Sequence, residues 1–177
     1  EQDWAALAGV VGSDVAAKLR NGTTTKLELE GKKIGDAGVA ALAKALPPSL
    51  KALKRDETGC GDDGLVALAA ALPALTRVDD LECSRNTAAT ARGWVALVGA
   101  LPSAPALLEL KMHGNSGMGS GGAVAALAAA IPDCPRLQRI YAWHCGLSEA
   151  DKATLKALDR PASHPQGPLR ISVALGT

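Results

Sequence analysis

The first informative pattern in the chain is a short alternation of apolar and charged positions followed by a helical period. Leu27 and Leu29 alternate with glutamates, which predicts a strand with one buried face. After a glycine-containing turn, Leu42 and Leu46 lie four residues apart, which predicts a helix that ends before Pro47. Because one strand and one helix of this size cannot bury their apolar faces alone, we expect similar units beside them.

The same unit recurs along the chain at a nearly constant spacing. The predicted strands start at Leu27, Leu53, Leu81, Leu110, Ile140 and Leu169. Successive starts are 26, 28, 29, 30 and 29 residues apart. Four of the helices end in a large aliphatic residue followed by proline, and these ends keep the same step. Two independent markers with one period indicate a repeat protein.

The repeated phrase resembles that of a known family. The spacing L-x-x-L-x-L-x-x-N/C, with Asn86, Asn115 and Cys145 at its last position, is similar to that of the leucine-rich repeat. The long period and the phrase I-G-D-x-G-x-x-x-L-A-x-x-L resemble the ribonuclease-inhibitor subtype. The resemblance covers about residues 13–175. It implies an α/β fold, a curved solenoid with parallel strands on the concave side and helices on the convex side.

We therefore expect a single leucine-rich-repeat domain over residues 1–177, with about five repeats plus caps. Residues 1–24 are expected to form a cap helix and a half repeat, in which Val15 and Leu19 match the helical half of a full repeat and Asp14 is the N-cap. Residues 25–160 are expected to hold the five repeats. Residues 161–177 are expected to form a proline-rich link and a strand that closes the C-terminal edge of the sheet.

Three positions depart from the repeat pattern. Lys32 and Thr58 stand where the other repeats have Asn or Cys. Arg55 occupies a position that should point inward, where the other repeats have apolar residues. We expect either a β-bulge at this point or an Arg55 side chain that reaches out to solvent along its aliphatic stem.

The composition narrows the classes of function. The chain has 177 residues, of which 47% are hydrophobic and only 2% aromatic, so the predicted core consists of Leu, Val and Ala. The 19 basic and 18 acidic residues are spread along the chain, so nucleic acid is not expected as a partner. The longest apolar run, residues 123–131, is too short to span a membrane.

The sequence carries no recognisable motif for catalysis or for cofactor binding, so we expect neither an enzyme nor a small-molecule binding protein. Residues 114–122 are rich in glycine but lack the Lys-Ser/Thr ending of a phosphate-binding loop, and we expect a long turn there. Asp36, Asp62 and Asp63 lie at predicted helix starts. We expect them to cap helices rather than to bind a metal.

The four cysteines show no C-x-x-C spacing. Cys60, Cys83 and Cys145 fall on core or ladder positions and are expected to be buried. Cys134 lies in a Pro-Asp-Cys-Pro segment and is expected to be the exposed thiol. A disulfide between Cys134 and Cys145, or a zinc site that includes His144, is the alternative for this thiol.

The outward-facing strand positions are the candidate partner-binding residues. Because successive residues of a strand point to opposite faces, the positions one and three places after each strand start form two rows across the concave face. The first row is Glu28, Lys54, Glu82, Lys111 and Tyr141. The second row is Glu30, Asp56, Ser84, His113 and Trp143. Tyr141 and Trp143 are expected to anchor a protein partner. The alternatives are a solvated face, or aromatics covered by the C-terminal link.

Three functions agree with these features. The first is a non-catalytic scaffold that binds a protein partner through the concave face. The second is a structural accessory subunit of a large multiprotein assembly, with contacts through helices or loops. The third is a regulator of the GTPase-activating type, since the Ran GTPase-activating protein is similar in repeat type, although it is longer and has an acidic tail that is not seen here. The sequence shows no signal peptide, so we expect an intracellular protein, whose compartment the sequence does not indicate. Residue 1 is Glu rather than Met, which leaves open the alternative that a leader or an upstream region is missing from this sequence.

Overall fold

The computed structural model describes residues 3–173, in which helices and strands alternate. The helices are α1 (Trp4–Val11), α2 (Ser13–Arg20), α3 (Gly35–Ala43), α4 (Asp62–Ala71), α5 (Ala91–Gly99), α6 (Ala123–Ala130) and α7 (Glu149–Lys156). The strands are β1 (Lys26–Glu28), β2 (Ala52–Lys54), β3 (Asp80–Glu82), β4 (Glu109–Lys111), β5 (Arg139–Tyr141) and β6 (Arg170–Ser172). Short 3-10 turns follow α4, α5 and α6, and another precedes α6. Residues 1–2 and 174–177 lie outside the described range.

The six strands form one parallel sheet in the order of the chain. The residues in register at the centre of the strands are Leu27, Leu53, Leu81, Leu110, Ile140 and Ile171. A helix follows each of the first five strands before the chain enters the next one. This topology is a leucine-rich-repeat-like α/β fold, and the five predicted strands from Leu27 to Ile140 are confirmed.

The sixth strand is displaced from the predicted register. Ile171, not Leu169, lies beside Ile140. Leu169 instead forms an antiparallel bridge with Arg160, and its side chain is fully buried. The Arg160 guanidinium donates to the carbonyl oxygen of Leu137 at 2.6 Å. This contact holds the link against the preceding unit, so the strand begins later than the repeat spacing predicts.

The outer edge of β6 is blocked by side chains from the end of α7. The N–H of Ile171 donates to the Asp159 carboxylate at 2.8 Å. The ammonium group of Lys156 donates to the carbonyl oxygen of Ile171 at 3.1 Å. These bonds occupy backbone groups that a further strand would otherwise use, which disfavours pairing with the edge of another chain.

The hydrophobic core lies between the sheet and the helix layer. Helices α3 to α7 share a buried leucine at the same position of the repeat, namely Leu42, Leu68, Leu97, Leu127 and Leu155. Trp94 on α5 is also fully buried. Because the same position repeats in every layer, the apolar residues form continuous columns through the domain.

The N-terminal region differs in detail from the predicted half repeat. The helix that packs beside α3 is α1, whereas Val15 and Leu19 lie on α2, which packs against α1. The residue that precedes α2 is Gly12, and no side chain caps this helix. Asp14 therefore lies inside the first turn, and the prediction that it is the N-cap was wrong. Asp3 caps α1 instead, through N–H groups of the first turn.

The predicted acidic caps act between units rather than within them. Asp36 lies in α3, but its Oδ1 accepts hydrogen bonds from Gly61 and Gly64 at the start of α4, at 2.6 and 3.0 Å. Asp62 in α4 likewise accepts hydrogen bonds from the N–H groups of Thr90 and Gly93 at the start of α5. A Cβ atom at Gly64 would lie 2.8 Å from the Asp36 carboxylate, so the glycine is required for this contact. Each carboxylate thus joins neighbouring helices.

A ladder of buried polar side chains runs behind the ends of the strands. Thr58 donates to the Asn86 side chain at 2.9 Å, and Asn86 N–H donates to the Asn115 side chain at 2.7 Å. The thiol of Cys145 donates to the carbonyl oxygen of Met112 at 3.1 Å. Threonine therefore takes part in the ladder although it departs from the Asn/Cys pattern.

Arg55 shows neither of the two predicted outcomes. The β2–β3 register is regular, and Glu57 beyond the strand has φ 54°, close to the φ 56° of Arg85 at the equivalent place, so no bulge is present. The Arg55 side chain points into the core and is 0% exposed. Within residues 3–173, its three guanidinium nitrogens have no well-aligned hydrogen-bond partner, although the thiols of Cys60 and Cys83 lie near the charge. The fold thus buries a cation without an acidic partner at ion-pair distance in this range.

The column of central strand residues allows a first test of the register. We expect Leu81→Ala to lower the free energy of unfolding by about 2–5 kcal/mol, because it opens a cavity in a fully buried layer. Glu28→Ala, on the exposed side of β1, should change it by less than about 0.5 kcal/mol. Urea denaturation of both variants measures the difference, and equal midpoints would contradict the register.

Within residues 3–173, no helix has the length and the apolar character that crossing a membrane requires.

Candidate functional site

The sheet has one face without helices, here called the open face, and three rows of side chains cross it. The first two are the rows predicted from the sequence. A third row, which the sequence reasoning missed, consists of Lys26, Ala52, Asp80, Glu109, Arg139 and Arg170. It lies one residue before each central apolar residue of the strand. The period-2 alternation of the strands could have identified this row. It was missed because the rows were counted only from each apolar strand residue onward.

Most charges in the first row form ion pairs with neighbouring strands. Lys54 lies 3.3 Å from Glu82, and Lys111 lies 3.4 Å from the same carboxylate. Lys111 also lies 3.0 Å from Glu109, which accepts a hydrogen bond from Arg139 at 2.7 Å. These charges therefore neutralise one another across β2 to β5. At the exposed edge, Glu28 pairs with Lys26 on its own strand.

The ionisation of this network agrees with its geometry. Burial opposes the charge of Lys111, but the carboxylates of Glu109, Asp80 and Glu82 outweigh it and raise the pKa of Lys111. Burial also opposes the charge of Glu82, whose pKa is nevertheless lowered by Asp56, Lys111 and Lys54. The ion pairs thus hold these groups in their charged forms at neutral pH.

Asp56 in the second row is the least solvated acid of the open face. It is 7% exposed, and it accepts a hydrogen bond from the Ser84 N–H at 2.6 Å. Burial raises the pKa of Asp56 to about 6, the Ser84 N–H opposes this rise, and repulsion from Glu82 and Glu30 adds to it. The Asp56 charge therefore destabilises the folded state at neutral pH.

A substitution tests this charge. Folding raises the pKa of Asp56, so the native state binds its proton more tightly than the unfolded chain does. Its contribution to stability is present in acid and is lost as the pH rises through about 6. We expect Asp56→Asn to gain about 1 kcal/mol at pH 7 and far less at pH 4, as measured by urea denaturation. The exposed Asp133→Asn is the control, and an equal gain at both pH values would exclude ionisation as the cause.

The C-terminal ends of the first and second rows form an aromatic cluster. The rings of His113 and Trp143 are stacked with centroids 4.5 Å apart and an angle of 18° between them. Tyr141 meets Trp143 edge-on at 5.3 Å. Ser84 and the His113 Nδ1 share a hydrogen bond of 2.8 Å, which orients the imidazole. Burial lowers the pKa of His113, so its neutral form is favoured. The structure thus brings three of the predicted residues into one half-buried surface.

Within residues 161–173, the hydrogen bonds of the C-terminal link lead away from these aromatics, although Pro168 lines a pocket with Tyr141. In the described range, Gln166 donates to the carbonyl oxygen of Pro132, and Arg160 donates to that of Leu137. Both contacts lie in the segment before β5 rather than at Trp143. The aromatic rings stay partly open to solvent.

The chain is similar in fold to a solved structure described as Leiomodin-1 Actin-Binding Site 2 (ABS2). The match has a TM-score of 0.71 and 19% sequence identity, and it covers 82% of this chain and 86% of that one. At this identity the likeness shows the fold, which is leucine-rich-repeat-like. Neither a family model nor a curated protein matches the sequence.

The prediction that Cys134 is exposed was wrong. Its side chain is 6% exposed, its thiol lies 3.3 Å from the carbonyl oxygen of Ala130, and burial raises its pKa to about 11. The turn after α6 places it in the same column as Leu75 and Ala104, a match that the repeat alignment contained. All four cysteines are free and buried. Within residues 3–173, no three His, Cys, Asp or Glu side chains converge as a metal-binding group.

The glycine-rich segment before α6 is a closely packed turn. A Cβ atom at Gly117 would lie 2.2 Å from the carbonyl oxygen of Ala89, and one at Gly119 would lie 1.9 Å from that of Gly146. The glycines are therefore needed because the turns of the two neighbouring units approach this backbone. Asp151 lines the shallow cavity beside it, which disfavours an anion there.

A second exposed surface lies on the outer side of the helix layer. Val66 on α4 and Val95 on α5 are 39% and 38% exposed. A shallow groove of about 260 Å³ beside them, between α3 and α4, is lined by Ala40, Ala43, Lys44, Ala67, Ala70 and Ala71. Small side chains make this surface flat, and Lys44 is the charged residue at the groove.

Proposed function

We propose that the chain is a non-catalytic protein-binding module of the leucine-rich-repeat class. In this proposal the units form a curved solenoid of the ribonuclease-inhibitor subtype, with about five repeats between residues 25 and 160. The open face is then the concave surface, and it holds a protein partner as a rigid scaffold.

The observation that carries this proposal is the aromatic cluster of His113, Tyr141 and Trp143 on the open face. Aromatic side chains that are pre-stacked lose little conformational freedom when a partner covers them, and such residues dominate the energy of many protein interfaces. The paired charges of the neighbouring strands fit the polar rim of such an interface.

The likeness to Leiomodin-1 Actin-Binding Site 2 supports a role in protein interaction in general. That domain is described as a binding site for actin, and it has a fold of the same kind. At 19% identity the likeness does not indicate that this chain also binds actin. The proposal is therefore limited to binding of a protein partner. The four buried free thiols fit a reducing intracellular compartment, which is part of the proposal.

The double variant Tyr141→Ala/Trp143→Ala tests the proposed anchor. Partners are captured from the native source with the tagged chain and identified by mass spectrometry, and their affinity is then measured by calorimetry. We expect the variant to bind at least about thirtyfold more weakly, because hot-spot aromatics contribute about 2 kcal/mol or more. Arg77→Ala, at an exposed position before β3 and outside the rows of the open face, should bind normally. Unchanged binding by a folded double variant would contradict the anchor.

The exposed helix surface favours a second candidate, a structural accessory subunit of a large assembly. Val66 and Val95 would then contact a neighbouring subunit, since exposed apolar patches mark such contacts. In this case Val66→Asp/Val95→Asp should release the chain from a stoichiometric complex, whereas Tyr141→Ala/Trp143→Ala should not. Size-exclusion chromatography of the purified native protein distinguishes the two candidates.

A further inference from the structure

Two arginines lie side by side at the C-terminal end of the open face. Arg139 on β5 and Arg170 on β6 are paired in register. Adjacent strands are about 4.8 Å apart, so two like charges at paired positions repel each other. Arg139 is held by Glu109 at 2.7 Å, but within residues 3–173 no carboxylate lies at ion-pair distance from Arg170. This end therefore carries a positive charge that the described part of the fold does not neutralise.

A shallow pocket adjoins the two guanidinium groups. Its volume is about 200 Å³, and it is lined by Gln138, Arg139, Tyr141, Pro168, Arg170 and Ser172. The guanidinium groups, the two hydroxyls and the side-chain amide all supply N–H or O–H donors. The pocket thus combines positive charge and hydrogen-bond donors with the apolar surface of Tyr141 and Pro168, which suits an oxyanion that has an apolar group beside it.

We infer that this arginine pair binds a carboxylate on an acidic peptide segment of a protein partner. The inference rests on the proposed function, because Tyr141 belongs both to this pocket and to the aromatic cluster that anchors the partner. A carboxylate accepts two parallel hydrogen bonds from a guanidinium group, so it relieves the repulsion between Arg139 and Arg170. An apolar residue next to it in the peptide then contacts Trp143.

The charges around the pocket argue against a polyanion as the partner. Glu82 on β3 and Glu109 on β4 are paired with Lys54, Lys111 and Arg139. The phosphates of a nucleic acid strand that entered the arginine pocket would therefore meet already neutralised cations along the described strands β2 to β4, whereas phosphate binding needs several available ones. A peptide places one acidic side chain in the pocket and keeps uncharged residues over the rest of the face, which satisfies both regions.

The test is an NMR titration of the isotope-labelled full chain. The probe is an acetylated and amidated decapeptide of Gly and Ser with a single central Glu-Leu pair, and the matched control peptide has Gln in place of the one Glu. We expect the Glu peptide to shift the side-chain N–H signals of Arg139, Arg170 and Trp143 and to bind at least about tenfold more tightly than the Gln peptide. Equal binding of the two peptides would overturn the inference.

Two double variants separate the pocket from general charge. Arg139→Gln/Arg170→Gln should lose about tenfold in affinity for the Glu peptide, whereas Arg20→Gln/Arg77→Gln, which removes the same charge at exposed positions elsewhere, should not. An equal loss in both variants would contradict the inference. Inorganic phosphate or an oligothymidylate that binds the pocket more tightly than the Glu peptide would overturn the carboxylate assignment.

The captured native partner separates this inference from the proposed function. If the partner requires Trp143 but binds the Arg139→Gln/Arg170→Gln variant normally, only the acidic-peptide inference fails. If the partner is also insensitive to Tyr141→Ala/Trp143→Ala, the proposed use of the open face fails as well. Loss of binding in both variants supports both.

Discussion

Replacing Arg55 with methionine is expected to raise the free energy of unfolding by about 2–4 kcal/mol. The Arg55 guanidinium is fully buried beside the Cys60 and Cys83 thiols, and in the described part of the chain its nitrogens have no well-aligned hydrogen-bond partner. An arginine does not lose its proton inside a protein, so its charge is transferred from water to the core on folding. Methionine keeps an unbranched stem of similar length, and Met112 occupies the equivalent inward position, one residue after β4.

Urea denaturation of Arg55→Met and of the wild-type chain measures this gain as a higher midpoint at an unchanged slope. Arg77→Met is the matched control, because Arg77 is exposed and the same substitution there should change stability by less than about 0.5 kcal/mol. A destabilised Arg55→Met variant would show that the guanidinium has a stabilising partner in solution. A gain equal to that of the control would show that burial of the charge is not the cause.

Asn86→Ala is expected to lower the free energy of unfolding by about 4 kcal/mol or more. The Asn86 side chain accepts hydrogen bonds from Thr58 and from the Cys60 N–H at 2.9 and 3.1 Å. It donates to the carbonyl oxygens of Cys83 and Ser84 at 3.2 and 3.0 Å. All of these groups lie in the interior, so the alanine leaves several of them without a partner and without water.

The control for Asn86→Ala is Asn21→Ala at the exposed end of α2, which should cost less than about 1 kcal/mol. Thermal and urea denaturation of both variants give the comparison. Asn86→Asp separates lost donors from lost volume, since it keeps the acceptor and the size but removes the amide donors. If Asn86→Ala were as mild as the Asn21 control, the ladder would contribute little to stability.

The sequence determined the parts of the fold that depend on period alone. Alternation predicts the central strand residues from Leu27 to Ile140, and the 3.6-residue helical period predicts the buried helix leucines. Both patterns lie within a single repeat, so each repeat could be predicted without its neighbours. The same alternation placed Tyr141, Trp143 and His113 on the open face. The third row, with Arg139 and Arg170, was equally accessible to this reasoning but was not counted.

The tertiary structure alone decided the contacts between units. Asp36 caps the next helix rather than its own, and Leu169 pairs with Arg160 and shifts the last strand. Arg55 stays in the core although local preference would send it to water. These outcomes depend on which atoms of a neighbouring unit lie within hydrogen-bond or packing distance. Such distances are set when the units stack, because stacking fixes the rotamers and the access to water that the pattern of one unit does not contain.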